Sequence, residues 1–364
     1  MHEIIKTVSP SGALISPRPA RQSRNILLTG ASGVVGQALL AQLDPSSVVC
    51  LVRQPTLMTR GITSLVGDIC LPRFGLSRSQ IQDLSKRIDC IVHAAAVTDF
   101  AKEDDLIFRT NVQGLENVFE LAALARVPIC HISTAFVRRC QTPAESTHEP
   151  YYATSKREGE RLVRESGLPY IIIRPSIVIG DSSSGRISRF QGFYSIIGNF
   201  LNGTLPMMPA SPEAYVDFIP QDVLAQTIVA LIEEGRTDEE HWITSGDQSL
   251  TIKRVGELVK VFAARLGQSI ELPRFVSTDM VDRLIRPVFM SALSPAIRKR
   301  FERLLQISSY LCIDEPFTTS LPGLRQRLEI APFPDLEKAF LLGLEYWAEA
   351  TGYFRRLSSD VSKA

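Results

Sequence analysis

Short apolar runs recur through the first half of the chain, each closed by a glycine or a polar cluster. They are RNILLTG (24–30), SSVVCLVR (46–53), SLVGDI (64–69), DCIVHAAA (89–96), VPICHIST (127–134) and PYIIIRPSIVIG (169–180). Segments with helical spacing lie between them: ASGVVGQALLAQL (31–43), DLIFRTNVQGLENVFELAALA (105–125) and a helix around Tyr152. Runs that are apolar throughout, rather than alternating, predict strands buried on both faces. Strands and helices in alternation predict a parallel sheet covered by helices, the doubly wound α/β arrangement. In such a sheet the ligand crevice lies beyond the carboxyl ends of the strands, so chemistry is expected at strand ends.

Past residue 180 the pattern changes. DSSSGRISRFQGF reads as a loop and YSIIGNFLNG as a helix. YVDFIPQDVLAQTIVALIEEG reads as a strand, then a helix opened by Pro220 and Asp222. TIKRVGELVKVFAARLG is another amphipathic helix, and residues 279–311 give broken helices rich in Leu, Ile, Phe, Met and Arg. The expected organisation is a loose leader over 1–23, a dinucleotide-binding domain over 24–180 with its sheet completed by parts of 215–245, and a smaller, mostly helical substrate region over 181–364.

Composition narrows the partners. Of 364 residues, 45% are hydrophobic and 22% charged, with a net charge of +1. No basic excess argues for nucleic acid or an anionic membrane. No apolar run is long enough to span a bilayer. The Ser-, Pro- and Arg-containing start has no apolar core of a secretory signal. None of the cysteines at 50, 70, 90, 130, 140 and 312 forms a C-x-x-C pair, so no metal site is expected. Small buried thiols in a reduced compartment, the cytoplasm, are the expectation.

The strand-to-helix junction TGASGVVG places Gly30, Gly33 and Gly36 in the fingerprint of a dinucleotide-binding, or Rossmann, turn. The first glycine permits the turn, the second lets backbone approach a pyrophosphate, and the third allows close helix packing. Ser32, Val34 and Val35 share that turn, whose helix N-terminus offers free N–H groups to phosphates. The next strand ends in CLVRQ. An acidic residue there would bind an adenosine ribose; Arg53 suits a 2′-phosphate, so NADP(H) is expected over NAD(H). Asp68 and Ile69 are placed to meet the adenine. Ala94, Ala95 and Ala96 end the fourth strand with side chains too small to obstruct a cofactor.

Tyr152 and Lys156 stand four residues apart and share a helix face. A free phenol has a pKa near ~10, and a neighbouring ammonium is expected to lower it. The phenol then serves as a proton donor to an oxygen gaining charge. HISTAFV ends the fifth strand with Ser133 and Thr134, and a hydroxyl there would complete a two-donor cradle for an oxyanion. Tyr151 reads as packing or substrate wall, His93 and His131 as satisfied core histidines, and His148 as a loop residue without a role. Arg157 and Glu158 are expected to meet solvent.

TGASGVVG, NVQG, STAFV, YATSK and RPSIVIGDSSSG occur in this order. The chain thereby resembles the extended short-chain dehydrogenase/reductases, and within them the thioester reductase and male-sterility-type fatty acyl reductase branch. The closer resemblance is carried by Arg53, STAFV, RPSIVIGDSSSGR (174–186) and VDFIPQDVLAQTIVALI (216–232). It implies a catalytic set of Thr134, Tyr152 and Lys156, with Asn111 supporting the site and Lys156 reaching the nicotinamide ribose. It implies that Pro175, Ser176 and Ile177 contact the nicotinamide end. The implied activity is NADPH-dependent reduction of an acyl thioester, on coenzyme A or an acyl carrier protein, to aldehyde or alcohol. Many such reductases are fused to a carrier or adenylating domain, whereas this chain is expected to stand alone. Alternatives are a family member acting on a ketone, hydroxyl or nucleotide-sugar, and a non-catalytic dinucleotide sensor, which has no need of Tyr152 with Lys156.

Overall fold

The computed structural model describes residues 24–54, 61–98, 104–141, 151–190, 192–203, 207–277 and 312–353, with isolated positions between 280 and 302. The expected leader, His148 and most of the 279–311 segment lie outside the described residues.

A parallel sheet of seven strands forms the centre. Its strands are β1 (Ile26–Thr29), β2 (Val48–Val52), β3 (Thr63–Val66), β4 (Cys90–His93), β5 (Ile129–Ile132), β6 (Tyr170–Pro175) and β11 (Glu239–Ile243), ordered β11-β6-β5-β4-β1-β2-β3. All six pairings are parallel. Alternate residues supply opposite faces. Leu28, Cys50, Val92 and Cys130 enter one core cluster, while Leu27, Val49, Ile91 and Ile129 enter the other. That double burial is why the inner strands are largely apolar, while the edge strands β3 and β11 keep polar positions. The strand order reverses between β1 and β4, which puts the crevice at their carboxyl ends.

Helix α1 (Val34–Leu40) packs with α7 (Gln221–Glu234) on one face. On the other, α2 (Arg78–Ser85) meets α4 (Gly114–Ala125). The apolar pattern alone does not reveal α2, because only Ile81 and Leu84 are buried in it. Its start was nevertheless written in the sequence: Ser77 and Gln80 form a reciprocal capping box.

Three expected elements are subdivided. The helix pattern at 105–125 becomes α3 (Asp104–Phe108), a π-helical turn Arg109–Gln113 and α4. The sixth run splits at Ser176 into β6 and β7 (Ile177–Ile179), and β7 leaves the main sheet to pair with β10 (Phe218–Pro220). Pro175 has no N–H to continue the ladder. YVDFIP likewise splits into β9 (Tyr215–Val216) and β10 around the buried Asp217. That carboxylate accepts from the Ser245 N–H at 2.8 Å, the Gly246 N–H at 3.1 Å and the Ser249 hydroxyl at 2.7 Å. Burial pushes its pKa up.

The remaining chain packs as helices: α6 (Gly192–Leu201), α8 (Ile252–Arg265), and the helices Leu321–Leu328 and Leu336–Ala350. Phe218 joins this part to the sheet, stacked on Phe340 at 5.5 Å and tilted against Phe193 at 4.7 Å. No helix among the described residues is long and apolar enough to cross a membrane.

Candidate active site

The β1–α1 turn is shaped by missing side chains. Gly30 has φ +73°, and a Cβ there would lie 2.5 Å from the backbone of Ala94 and Ala95. A Cβ on Gly36 would lie 2.3 Å from the Gly30 carbonyl oxygen. Gly33 differs: its Cβ would meet the Gly30 oxygen at 3.2 Å and no other described atom within contact range. The space in front of Gly33 is therefore open, as the approach of a pyrophosphate requires. Gly33 caps α1 with no side-chain bond. The N–H groups of Val34, Val35 and Gly36 open the helix without an intrahelical acceptor. These donors, and the dipole behind them, fit an anionic group.

The other expected cofactor residues sit along the same edge. Ala94 and Ala95 follow β4, their N–H groups bonded to the Thr29 carbonyl at 3.2 Å and the Thr29 hydroxyl at 3.3 Å. Ala96 is half-buried, as is Ser32. Arg53 directly follows β2, is exposed, and has no hydrogen bond or ion pair among the described residues. Asp68 is half-buried with one oxygen taken by the Cys70 N–H at 2.9 Å, and Ile69 is buried beside Gly114.

Tyr152 and Lys156 lie on α5 (Tyr151–Glu165). The Tyr152 phenol faces the Thr134 hydroxyl, which draws its proton affinity down. Thr134 stands two residues beyond β5, and β5 neighbours β4 at the crevice. The Lys156 ammonium is buried and donates to the Ile132 carbonyl at 2.6 Å. Thr134, Tyr152 and Lys156 are thus brought together.

The expected direction of the phenol's shift is reversed. Burial pushes Tyr152 up to about 12, and the Thr134 hydroxyl offsets only part of that. Burial also brings Lys156 down to about 8, opposed by the negative charge of Glu160. Loss of hydration outweighs the effect of the cation, so the phenol is neutral and keeps the proton it has to give.

Asn111 sits in the π-helical turn and joins three segments. It accepts from the Val97 N–H at 2.7 Å and donates to the Val97 carbonyl at 3.1 Å and the Ser155 hydroxyl at 3.1 Å. Ser155 in turn donates to the Tyr152 carbonyl at 2.7 Å. Pro175, Ser176 and Ile177 occupy the carboxyl end of β6, with Ser176 N–H on the Ile243 carbonyl at 3.3 Å.

Ser133 takes a different part from the one its position suggested. Its hydroxyl donates to Glu160 at 2.6 Å, in the interior behind Thr134. Glu160 was missed by sequence reasoning, although it continues the four-residue spacing of Tyr152 and Lys156. His93 is a satisfied core histidine, 2.9 Å from the Thr29 hydroxyl. His131 stacks on it at 5.6 Å, but neither of its ring nitrogens has a partner among the described residues. Burial pushes the pKa of both down, with Lys156 adding to the effect. Arg157 and Glu158 are half-buried rather than exposed, and Glu158 pairs with Arg161 at 2.6 Å.

A cavity of about 550 Å³ opens elsewhere, between the end of α6 and residues 268–274, and no expected site residue lines it. No cluster of metal-ligating side chains occurs among the described residues.

Comparison with known proteins finds chains similar in sequence and in fold. The family described as Male sterility protein matches residues 54–228. The hybrid PKS-NRPS synthetase pvhA of Talaromyces variabilis is 29% identical over 286 residues, 71% of this chain but 7% of that synthetase. The terminal R domain from the myxalamid PKS-NRPS pathway superposes with a TM-score of 0.68 at 23% identity, covering 90% of this chain and 91% of that domain. A thiolation-reductase di-domain from an archaeal non-ribosomal peptide synthetase gives 0.65 at 19% identity, covering 92% and 76%. These structural likenesses establish a shared fold.

Proposed function

We propose, from the match of residues 54–228 to the family described as Male sterility protein, that the chain is an NADPH-dependent reductase of acyl thioesters. Residues 24–180, with strand β11, form the cofactor domain, and most of 181–364 the substrate region. The observation that carries the reading is the Tyr152 phenol facing the Thr134 hydroxyl, with buried Lys156 one turn along the same helix, at a strand end beside the open glycine turn. A non-catalytic sensor has no use for that set. Similarity to a synthetase-borne terminal domain and to a thiolation-reductase pair supports a thioester on a carrier as substrate, over a ketone or nucleotide-sugar.

The residues present fit NADPH: the free N–H groups of Val34, Val35 and Gly36 would hold the pyrophosphate, and Arg53 the 2′-phosphate. NADPH, when bound, supplies the hydride to the acyl carbonyl carbon. Thr134 and Tyr152 donate hydrogen bonds to the carbonyl oxygen as it gains charge, which lowers the barrier most where water is excluded. Tyr152 then gives that oxygen its proton. Lys156, held by the Ile132 carbonyl, sets a positive charge beside the phenolate that remains. Asn111 fixes the start of α5 through Ser155, so the phenol meets substrate at a constant height.

The test is NADPH oxidation by the purified protein, with carrier-bound acyl thioesters, acyl-coenzyme A, aldehydes and ketones in parallel. Turnover of thioesters releasing thiol is expected. Turnover of ketones alone rejects the thioester reading.

A further inference from the structure

Glu160 stands one turn beyond Lys156 and two beyond Tyr152 on α5, so the three side chains share a face. It is 3% exposed. Its carboxylate accepts four hydrogen bonds: from Ser133 at 2.6 Å, Arg174 Nε at 2.8 Å, Arg174 Nη2 at 2.7 Å and Arg164 Nη2 at 2.8 Å. Both oxygens are filled by charge-assisted bonds in fixed directions, which leaves the side chain no second place to go. Arg174, itself 5% exposed, continues to Glu240 at 2.5 Å and lies 4.8 Å over the Trp242 ring. Arg164 bonds the same Glu240 at 2.6 Å. The carboxylates and guanidiniums of this cluster balance, and Lys156 is the surplus charge beside it.

The cluster touches the catalytic set at one point. Ser133, which Glu160 holds, lies between Ile132, whose carbonyl accepts from Lys156, and Thr134, whose hydroxyl meets Tyr152. A tie between α5 and β6 alone would need Arg174 and Glu160; it would not need the hydroxyl of Ser133. We propose that Glu160 is a positioning residue of this centre: its buried carboxylate holds the Ser133–Thr134 turn against α5 and sets a negative charge one turn from the Lys156 ammonium. The inference rests on the reading of Tyr152 and Lys156 as the proton-donating pair.

Among the described residues, Glu160 on α5, His93 on β4 and His131 on β5 act on Lys156, with Tyr152 one turn before it on α5 and Arg174 on β6 beyond Glu160. Both histidines are held neutral by burial. Arg174 is paired. Glu160 is therefore the group whose loss changes the field at Lys156.

The experiment is a lysine ¹³C NMR titration of the full-length, cofactor-free protein, with the Lys156 resonance assigned through Lys156→Arg. In the wild type it should titrate at about 8. In Glu160→Gln the midpoint should fall by a pH unit or more, about tenfold in proton affinity. The alkaline limb of the kcat profile should move the same way. Ser133→Ala keeps the carboxylate, so the midpoint should stay while kcat falls about tenfold and the KM for NADPH does not change. A folded Glu160→Gln with an unmoved lysine titration overturns the proposal. If that variant does not fold, wild-type kcat in Ser133→Ala overturns it. The titration needs no substrate, so it separates this proposal from failure of the thioester reading, and full turnover by Tyr152→Phe refutes the reading beneath both.

Discussion

The two flanks of the crevice are built by opposite means. On the β1–α1 side the chain removes side chains: Gly30 and Gly36 let backbone meet backbone where a Cβ would come within 2.5 and 2.3 Å. On the α5 side it adds polar groups and buries them: Ser133, Thr134, Lys156, Glu160 and Arg174 are each 5% exposed or less. Backbone donors carry no titratable proton, so the first flank binds equally over a wide pH range. Side-chain donors buried away from water have shifted proton affinities, so the second flank can transfer a proton and is sensitive to pH. On the proposed function, the difference separates a region for holding from a region for reacting, and each can be broken without the other.

The largest effect should come from the first flank. Gly30→Ala puts a Cβ into the Ala94–Ala95 backbone at a residue with φ +73°. Overlap with the backbone that follows a central strand plus left-handed strain should cost about 3–5 kcal/mol, enough to unfold a marginal domain. Gly33→Ala is the sharper partner. Its Cβ meets protein only at 3.2 Å, so thermal stability should hold while the pyrophosphate loses its approach. Thermal melts with and without NADPH check both; equal melting temperatures for the two variants would dissolve the distinction between packing glycine and binding glycine.

On the second flank, Tyr152→Phe removes the proton and nothing else of size. A positioned acid contributes roughly 10²- to 10⁴-fold, so kcat should fall within that range. NADPH affinity, read by fluorescence titration, should be unchanged. Loss of affinity in equal measure would place Tyr152 with the holding region.

The pH dependence of stability divides the flanks again. With Lys156 at about 8, both states carry its proton at neutral pH and the folded protein bears the whole cost of a buried ammonium. From about 8 to the ordinary lysine value, the unfolded chain holds more protons, so Lys156 makes stability rise with pH. At roughly 1.4 kcal/mol per pH unit the gain is on the order of 3 kcal/mol. Tyr152 acts oppositely. Its pKa is raised to about 12. Above the ordinary phenol value the unfolded chain loses the proton first, and stability falls. Denaturation of wild type and Lys156→Met across this range should show the wild type gaining on the variant as pH rises. Parallel curves would mean that Lys156 is not buried as an ammonium.

The same contrast explains what was legible in the sequence. The glycine turn and the Tyr152–Lys156 pair are local patterns, set by a turn and a helical period, and both fall where the strand runs predicted. Pro175, too, carried in plain sight the reason that the sixth run must break. Glu160 was not legible as part of the site, because its partners Ser133 and Arg174 are 27 and 14 residues away. What could have raised it is its place on the tyrosine–lysine face, a charge where an amphipathic helix should be apolar. The segment after residue 312 was hidden for a similar reason. Ser320 bonds Trp242 in both directions, at 2.8 and 3.0 Å, and Thr319 bonds the Thr244 carbonyl at 2.8 Å. This covers the β11 edge of the sheet, and no local period announces a strap that borrows its register from a strand some 80 residues earlier.

Arg53 is the smallest test, and it belongs to the holding flank while being a side chain. It follows β2, is exposed, and has no partner among the described residues, so removing it should leave the melting temperature where it was. A hydrogen bond to a charged group contributes about 1.5–3 kcal/mol. Arg53→Ala should therefore weaken NADPH about 10- to 100-fold, by the same arithmetic of about 1.4 kcal/mol per decade, and leave NADH nearly unaffected. The affinity ratio of the two cofactors is the quantity to measure, because it cancels any general disturbance of the turn. An unchanged ratio would assign the choice of cofactor to another residue and leave Arg53 a solvated cation.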